Sequence, residues 1–207
     1  MGVWTDHVVP RLADASLKGH EIGELRARAC APLRGKVLEL GFGTGLNLRW
    51  YPPQVSGVAA VEPSDVGWRL SERRRARSEV QVERRGLDGQ HLDEPDESYD
   101  AVLSTFTLCT ISDPGLALAE VRRVLRPGGV FCFLEHGLSP ESGVARWQRR
   151  LDPVQRRVAG GCHLSRDVPA VVEAAGLEVT GLTARYLEGP RVSRPWAYGY
   201  LGAARRG

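Results

Sequence analysis

The sequence contains very little lysine and a single methionine: Lys18 and Lys36 are the only lysines among 207 residues. Arginine therefore carries nearly all of the positive charge, and the formal net charge is only +3. The arginine-rich stretch at residues 69–77 has no interleaved aromatic residues that could stack on nucleic-acid bases. Because Glu72 and Glu79 accompany it, we interpret this stretch as a solvated helix face and expect no nucleic-acid partner.

Long apolar runs are also missing. No stretch approaches the roughly 20 apolar residues of a membrane-spanning helix. The first 19 residues carry charges at Asp6, Arg11 and Asp14, where a signal peptide would have an apolar segment. We therefore expect a cytoplasmic protein without a membrane partner. Hydrophobic residues make up 42% and charged residues 26% of the chain, which is typical of one globular domain of this length.

Cysteine is scarce and widely spaced. No two of Cys30, Cys109, Cys132 and Cys162 lie within ten residues of each other, so the sequence has no CxxC metal-binding or redox motif. Cys109 and Cys132 lie in apolar runs, and we favour a packing role for Cys162 as well. The sequence thus predicts reduced thiols and no metal site.

Apolar runs alternate with helix-like stretches from residue 36 onward, which indicates an α/β fold with a mainly parallel sheet and helices on both faces. Strands are predicted at 36–40, 55–62, 78–85, 99–105, 129–136, 177–187 and 193–204. Helices are predicted twice within 6–34, and at 64–77, 113–129, 143–160 (kinked or broken at Pro153) and 167–176, with caps at Ser64, Asp113 and Asp167. We divide this single domain, 1–207, into a helical cover (1–34), a core (35–136) and a later part (137–207).

The stretch VLELGFGTG places Gly41, Gly43 and Gly45 directly after the first predicted strand. In an open α/β sheet, ligands bind at the carboxyl ends of the strands, and glycine lets the backbone approach them closely. Glu39 puts negative charge beside this turn, which disfavours a pyrophosphate and favours an ammonium or sulfonium group. Glu62 ends the second strand and can accept hydrogen bonds from two ribose hydroxyls. A tight turn without a ligand is the alternative.

Four ordered motifs resemble those of the class I S-adenosylmethionine-dependent methyltransferases: VLELGFGTG, AAVEPS, LDGQHLDEPDESYDAVLSTFTLCTI and ALAEVRRVLRPGG. The resemblance implies S-adenosylmethionine as cofactor, and a Rossmann-like doubly wound sheet of about seven strands with an antiparallel last strand. It implies that the cofactor is bordered by Glu39, Gly41, Gly43, Gly45, Glu62, Pro63, Leu87, Asp88, Gln90, Thr105 and Phe106.

Three later stretches are similar to the thiol S-methyltransferases of the methyltransferase-like seven group: LEH (134–136), LDPVQRRVAGGCHLSRD (151–167) and RPWAYGY (194–200). Animal members carry an N-terminal membrane anchor, which we do not find in this sequence, so we expect a small soluble acceptor, with a thiol or dithiol favoured. His136 is the first candidate for a base or orienting group and His163 the second; loop tethering is the alternative. The predicted acceptor-binding residues are Trp4, His136, Trp147, Arg166, Trp196 and Tyr198, although each aromatic residue taken alone more often serves core packing.

Several alternatives remain open at this point. An O- or N-methyltransferase of a natural product, quinone or phospholipid headgroup would use the same cofactor motifs. A cofactor-binding module without catalysis is a further alternative, whereas the glycine spacing and Glu39 disfavour a nicotinamide oxidoreductase. We expect a monomer or homodimer that protects its cell by capping a reactive metabolite.

Overall fold

The computed structural model describes residues 4–206. Within them, seven strands form one sheet: β1 (Gly35–Leu40), β2 (Val55–Val61), β3 (Val82–Gly86), β4 (Tyr99–Thr105), β5 (Leu125–His136), β6 (Leu177–Tyr186) and β7 (Tyr198–Arg206). Their order across the sheet is β3-β2-β1-β4-β5-β7-β6. The pairs from β3 to β5 are parallel, and β7 runs antiparallel to both β5 and β6. The predicted doubly wound sheet with an antiparallel last strand is confirmed.

Helices pack on both faces of the sheet: α1 (Val9–Ser16), α2 (His20–Cys30), α3 (Asp65–Leu70), α4 (Glu72–Arg75), α5 (Pro114–Val124), α6 (Ser142–Val158), α7 (Val168–Ala174) and α8 (Arg194–Ala197). A π-helical turn, Trp4–Val8, leads into α1. The predicted caps are present, since the side chains of Ser64, Asp113 and Asp167 accept hydrogen bonds from backbone N–H groups in the first turns of α3, α5 and α7. Among residues 4–206, no helix is both long and apolar enough to cross a bilayer.

Alternation of side chains along the central strands divides the core into two layers. Leu38 faces the layer to which α5 contributes Leu118. Its neighbour Val37 faces the opposite layer, to which α2 contributes Leu25. Because the strand order reverses between β1 and β4, the carboxyl ends of these strands border the crevice in which such sheets bind ligands.

Several predicted bounds differ from those in the structure, and four of the differences are as follows. β3 begins at Val82, because Ser78 closes a local turn with the backbone of Val80. β5 begins at Leu125, upstream of residue 129, because its first residues already pair with β4 across a register shift. α6 continues unbroken past Pro153 to residue 158. Residues 194–197 form α8 instead of a strand, since Pro195 is compatible with the first turn of a helix.

Candidate active site

A cleft of about 630 Å³ opens at the carboxyl ends of β1, β2 and β4. Nine of the residues predicted to border the cofactor line this cleft: Gly41, Gly43, Glu62, Pro63, Leu87, Asp88, Gln90, Thr105 and Phe106. Two further predicted residues, Glu39 and Gly45, lie outside its wall. The sequence therefore located most of this cleft.

The three glycines of the turn all have left-handed backbone conformations, with φ of 68° at Gly41, 57° at Gly43 and 77° at Gly45. A Cβ atom on Gly41 would lie 2.0 Å from Oγ1 of Thr107, and one on Gly45 would lie 2.9 Å from Cδ1 of Leu48. A Cβ atom on Gly43 would meet nothing closer than a backbone oxygen at 3.9 Å. Packing thus explains Gly41 and Gly45, whereas Gly43 leaves open space through which a ligand can reach the backbone.

The Glu62 carboxylate is fixed at the edge of the cleft by two backbone hydrogen bonds. Its Oε2 accepts from the N–H of Gly43 at 2.5 Å, and its Oε1 accepts from the N–H of Ser64 at 2.7 Å. Burial raises the pKa of Glu62, and the backbone hydrogen bonds act in the opposite direction. Each carboxylate oxygen keeps a further lone pair, so the group can accept hydrogen bonds from neighbouring hydroxyls of a ligand.

Glu39 is fully buried behind the glycine turn and does not line the cleft, so its place beside the cofactor stays a prediction. Its carboxylate accepts hydrogen bonds from Nδ2 of Asn47, at 2.6 Å, and from the hydroxyl of Tyr51. Burial raises the pKa of Glu39 to about 7. Arg26, which sequence reasoning missed, lines the cleft and donates to Asn47 at 2.7 Å and to Thr105 at 2.9 Å. No local motif marks Arg26, since α2 brings it to the turn from a distant part of the chain.

The loop after β3 is held by hydrogen bonds of its own side chains. Oδ1 of Asp88 accepts from the backbone N–H of Gln90 at 2.9 Å. Oε1 of Gln90 accepts from Oγ of Ser112 at 2.9 Å and from the N–H of Asp113 at 3.0 Å. Asp88 and Gln90 therefore join two loops at one side of the cleft.

Helix α1 packs against the glycine turn. Asp14 on α1 accepts a hydrogen bond from Oγ1 of Thr44 at 2.6 Å and forms an ion pair with Arg74 at 2.8 Å. Val9, Ala13 and Leu17 of the same region line both this cleft and a second cavity. The N-terminal cover thus borders both spaces at once.

The second cavity measures about 500 Å³ and shares Phe106 and Thr110 with the cleft. Its wall is mostly apolar, with contributions that include Leu12, Leu134 and Trp196. Among the described residues that line it there is no carboxylate. Its single arginine, Arg185, forms an ion pair with Glu21 outside the wall at 2.8 Å.

Cys109, His136 and Cys162 meet in the wall of this cavity. Sγ of Cys162 lies 3.6 Å from Sγ of Cys109 and 3.5 Å from Nδ1 of His136. The hydrogen bond with Cys109 lowers the pKa of Cys162 to about 5, although burial acts in the opposite direction. The same bond, with burial, raises the pKa of Cys109. His136 was predicted from its position at the end of a strand, but its grouping with the two cysteines was missed.

Three predicted acceptor residues line the cavity: His136, Trp196 and Tyr198. Trp4 and Trp147 do not line it, so the structure does not bring them together with the other three. Nε1 of Trp4 donates to the carbonyl of Val158 at 2.8 Å, so the side chain attaches the N-terminal turn to the end of α6. Trp147 is 54% exposed, and the guanidinium of Arg150 lies over its ring.

Arg166 and His163 also lie outside the cavity wall. Arg166 donates to the carbonyl of Ile111 at 2.8 Å and to that of Leu108, so it holds the loop after β4. Nδ1 of His163 lies 3.4 Å from the Asp152 carboxylate. These contacts give both side chains structural partners. The acceptor contact of Arg166 and the role of His163 as second candidate for a base stay predictions.

Residues 38–133 match the methyltransferase-domain family. The rat thiol S-methyltransferase TMT1B is 37% identical over 145 residues, which are 67% of this chain and 58% of that protein. The human thiol S-methyltransferase TMT1A is 33% identical over 174 residues, 79% of this chain and 69% of that protein. The chain belongs to the class I S-adenosylmethionine-dependent methyltransferases. It spans less than two thirds of the length of the rat protein.

Two further comparisons concern other members of the class. The phosphatidylethanolamine N-methyltransferase of Cereibacter sphaeroides is 30% identical to this methyltransferase over 154 residues, 72% of this chain and 73% of that protein. A Haloferax volcanii methyltransferase, solved in complex with the Trm112 methyltransferase activator, has a TM-score of 0.71 at 17% identity. That match covers 99% of this chain and 96% of the other, and at this identity it shows a shared fold alone.

The cofactor of this methyltransferase is S-adenosylmethionine, and the residues of the cleft fit it. Open space above Gly43 admits a ligand to the backbone, and the fixed carboxylate of Glu62 suits a ribose. Leu87, Asp88 and Gln90 would border the adenine, and Phe106 would lie towards the second cavity, whose wall it shares.

Proposed function

We propose that this methyltransferase transfers the methyl group of S-adenosylmethionine to the sulfur of a small, mainly apolar thiol or dithiol. The observation that carries the proposal is the second, apolar cavity, which shares Phe106 and Thr110 with the cofactor cleft and which we call the acceptor cavity. The names of the rat and human relatives, both thiol S-methyltransferases, support sulfur as the accepting atom.

The wall of the cavity favours an acceptor that enters uncharged. A free amine is an ammonium ion at neutral pH, and it would lose hydration in an apolar space without a carboxylate to replace it. A thiol enters neutral, and about a few per cent of an ordinary thiol is already thiolate at neutral pH. Thiols therefore meet the lowest barrier to entry and to activation.

Transfer to sulfur mainly requires alignment. When bound, S-adenosylmethionine supplies a methyl group attached to a positively charged sulfur. The acceptor loses its S–H proton, a new sulfur–carbon bond forms, and the bond between the methyl group and the cofactor sulfur breaks, which leaves a thioether and S-adenosylhomocysteine. His136, in the wall of the acceptor cavity, is placed to orient the thiolate or take its proton.

The test compares acceptors that share one carbon skeleton and differ in the accepting atom, such as benzyl thiol, benzyl alcohol and benzylamine, with phenol added, and an alkyl set of the same design. S-adenosylhomocysteine release and product mass are followed together. We expect a mass gain of one methyl group on monothiols, or two on dithiols, at rates at least tenfold above the matched alcohols and amines. Methylation of phenols or amines alone would refute the thiol assignment. Binding of S-adenosylmethionine without any product would favour a cofactor-binding module.

N-methylation of a phospholipid headgroup is the second candidate, because the chain covers 73% of a phosphatidylethanolamine N-methyltransferase at 30% identity. Vesicles that contain phosphatidylethanolamine are therefore included in the same assay, with phosphatidylcholine vesicles as control. We expect no methylated lipid, since a charged headgroup finds no carboxylate among the described residues of the acceptor cavity. Methylated lipid from the first vesicles would establish the second candidate.

A further inference from the structure

We propose that Cys109, His136 and Cys162 form a zinc site with an open coordination position towards the acceptor cavity. The sequence predicted no metal, because its cysteines are far apart along the chain. The fold brings the two thiols and the imidazole together: their ligand atoms all lie within 4.8 Å of one another, and all three residues line the cavity.

Two of the three ligand distances already match a zinc site. With zinc–sulfur bonds of about 2.3 Å, zinc–nitrogen bonds of about 2.05 Å and tetrahedral angles, two sulfur ligands lie about 3.8 Å apart and a sulfur lies about 3.6 Å from a nitrogen. The observed separations are 3.6 Å between the sulfur atoms and 3.5 Å between Sγ of Cys162 and Nδ1 of His136. The third separation, between Cys109 and His136, is at most 4.8 Å and shortens when an ion enters.

The charge of the ligand set suits an apolar cavity. Two thiolates and a neutral imidazole cancel the charge of Zn²⁺, so the loaded site is neutral where an uncompensated ion would be costly. Thiolate and imidazole are the donors that zinc prefers, and three protein ligands with one open position are typical of catalytic zinc sites. Copper(I) would accept the same donors, and metal analysis distinguishes the two.

The segments that carry the ligands are fixed to each other. Glu135, which precedes His136 at the end of β5, accepts hydrogen bonds from the backbone N–H groups of Leu108, at 3.1 Å, and Cys109, at 3.3 Å. The backbone N–H of His163, next to Cys162, donates to the carbonyl of Cys109 at 2.7 Å. These bonds hold the three ligands near each other before any ion binds, which is the preorganisation that a metal site needs.

The open position gives the zinc ion a role that rests on the proposed function. An acceptor thiol that binds there releases its S–H proton to solvent and remains as a zinc-bound thiolate facing the cofactor cleft. His136, as a zinc ligand, then orients this thiolate through the metal and takes no proton itself. The sulfur then forms its bond to the methyl group as described above, and the thioether product, a poorer ligand, leaves. The substrate class is therefore a thiol that reaches the metal through an apolar cavity.

Metal binding is tested without cofactor or acceptor, so its result does not depend on the proposed function. The purified, reduced protein is analysed for metal content, stripped with a chelator and titrated with zinc against a chromophoric competitor. Cys162→Ser and His136→Gln remove one ligand each; Cys132→Ala removes a buried thiol of β5 that lies outside the cluster. Binding of S-adenosylmethionine checks that each variant is folded, which matters most for Cys109→Ser because Cys109 is buried.

We expect one zinc per chain in the wild type and in Cys132→Ala. The ligand variants should lose more affinity than the about 10–100-fold that loss of an outer-shell partner typically costs. Cobalt in place of zinc should give thiolate-to-metal charge-transfer absorption that disappears in Cys162→Ser and changes when a thiol acceptor is added. No zinc in the reduced wild type, or zinc that the folded ligand variants retain, would overturn the site. If the cobalt spectrum is present but stays unchanged on addition of every thiol that the enzyme methylates, the proposed role of the metal in acceptor binding is wrong.

Discussion

Gly41 and Gly43 offer a test in which the backbone conformation is similar and the surroundings differ. Both have left-handed φ angles, 68° and 57°. A Cβ atom on Gly41 would overlap Thr107, at 2.0 Å from Oγ1 and 2.7 Å from Cβ, whereas one on Gly43 would enter open space. Thr107 cannot easily withdraw, since its N–H donates to the buried Glu135 carboxylate at 3.0 Å. Alanine at the two positions therefore separates backbone strain from steric overlap.

The left-handed conformation costs an alanine about 1–2 kcal/mol, which is the expected destabilisation of Gly43→Ala. Gly41→Ala carries the same cost plus about 1–3 kcal/mol for overpacking against Thr107. For a chain of this size, each kcal/mol lowers Tm by about 2–4 °C. We therefore expect a loss of roughly 2–8 °C for Gly43→Ala and roughly 4–20 °C for Gly41→Ala.

Urea and thermal denaturation measure the stability of both variants, and calorimetric titration measures their affinity for S-adenosylmethionine. Gly43→Ala should lose affinity out of proportion to its small loss of stability, because its methyl group enters the cleft. Thr107→Ala should restore part of the stability of Gly41→Ala and none of that of Gly43→Ala, which a double-mutant cycle quantifies. Overlap with Thr107 is refuted if Gly41→Ala is no less stable than Gly43→Ala, or if Thr107→Ala has the same effect in both backgrounds.

Three further predictions address single side chains. Glu62→Gln should weaken S-adenosylmethionine binding by about 10–150-fold, the value of a charge-assisted hydrogen bond, in a calorimetric titration; unchanged affinity would exclude Glu62 from the cofactor site. Folded Glu39 keeps its proton up to about pH 7, while the unfolded chain loses it near 4.5, so this side chain reduces stability as pH rises through that window. The unfolding free energy of Glu39→Gln, relative to that of the wild type, should therefore rise by on the order of 3 kcal/mol between pH 4 and pH 8, as measured by urea denaturation. The same difference between the two proteins at both pH values would contradict this. Trp196→Ala should raise KM for an apolar thiol about tenfold and leave cofactor affinity unchanged. Trp196 is 44% exposed, so its contact with the acceptor is worth about 1.5 kcal/mol, the lower end of the range for a large apolar side chain. A change in cofactor affinity alone would remove Trp196 from the acceptor wall.

The parts of the fold and site that local sequence encodes were predictable. The glycine turn, Glu62 and the helix caps each depend on residues within a few positions of each other, and the structure has them where the sequence indicated. The strand-to-helix alternation likewise indicated the layered sheet that forms. A turn of this kind has a geometry that its own residues determine, so one short segment is enough to recognise it.

Contacts between distant segments were not predictable in the same way. Arg26 reaches the glycine turn from α2, and Cys162 reaches His136 from the loop after α6. Trp4 and Trp147 were placed in the acceptor wall because they are aromatic, but residue type does not say which way a side chain points. The domain division, the cytoplasmic location, the protective role and the monomeric or homodimeric state stay predictions.

The wall between the two cavities has a thermodynamic consequence. Phe106 and Thr110 border both spaces, and the segment between them is anchored by Glu135 through the N–H groups of Thr107, Leu108 and Cys109. A ligand that shifts this segment on one side changes the surface offered on the other. The affinities for S-adenosylmethionine and for the acceptor are then linked. If the bound cofactor raises the affinity for the acceptor by some factor, the bound acceptor raises the affinity for the cofactor by the same factor. The coupling between the two affinities would thus run through the backbone of residues 106–110, together with Val9, Ala13 and Leu17, which line both spaces as well.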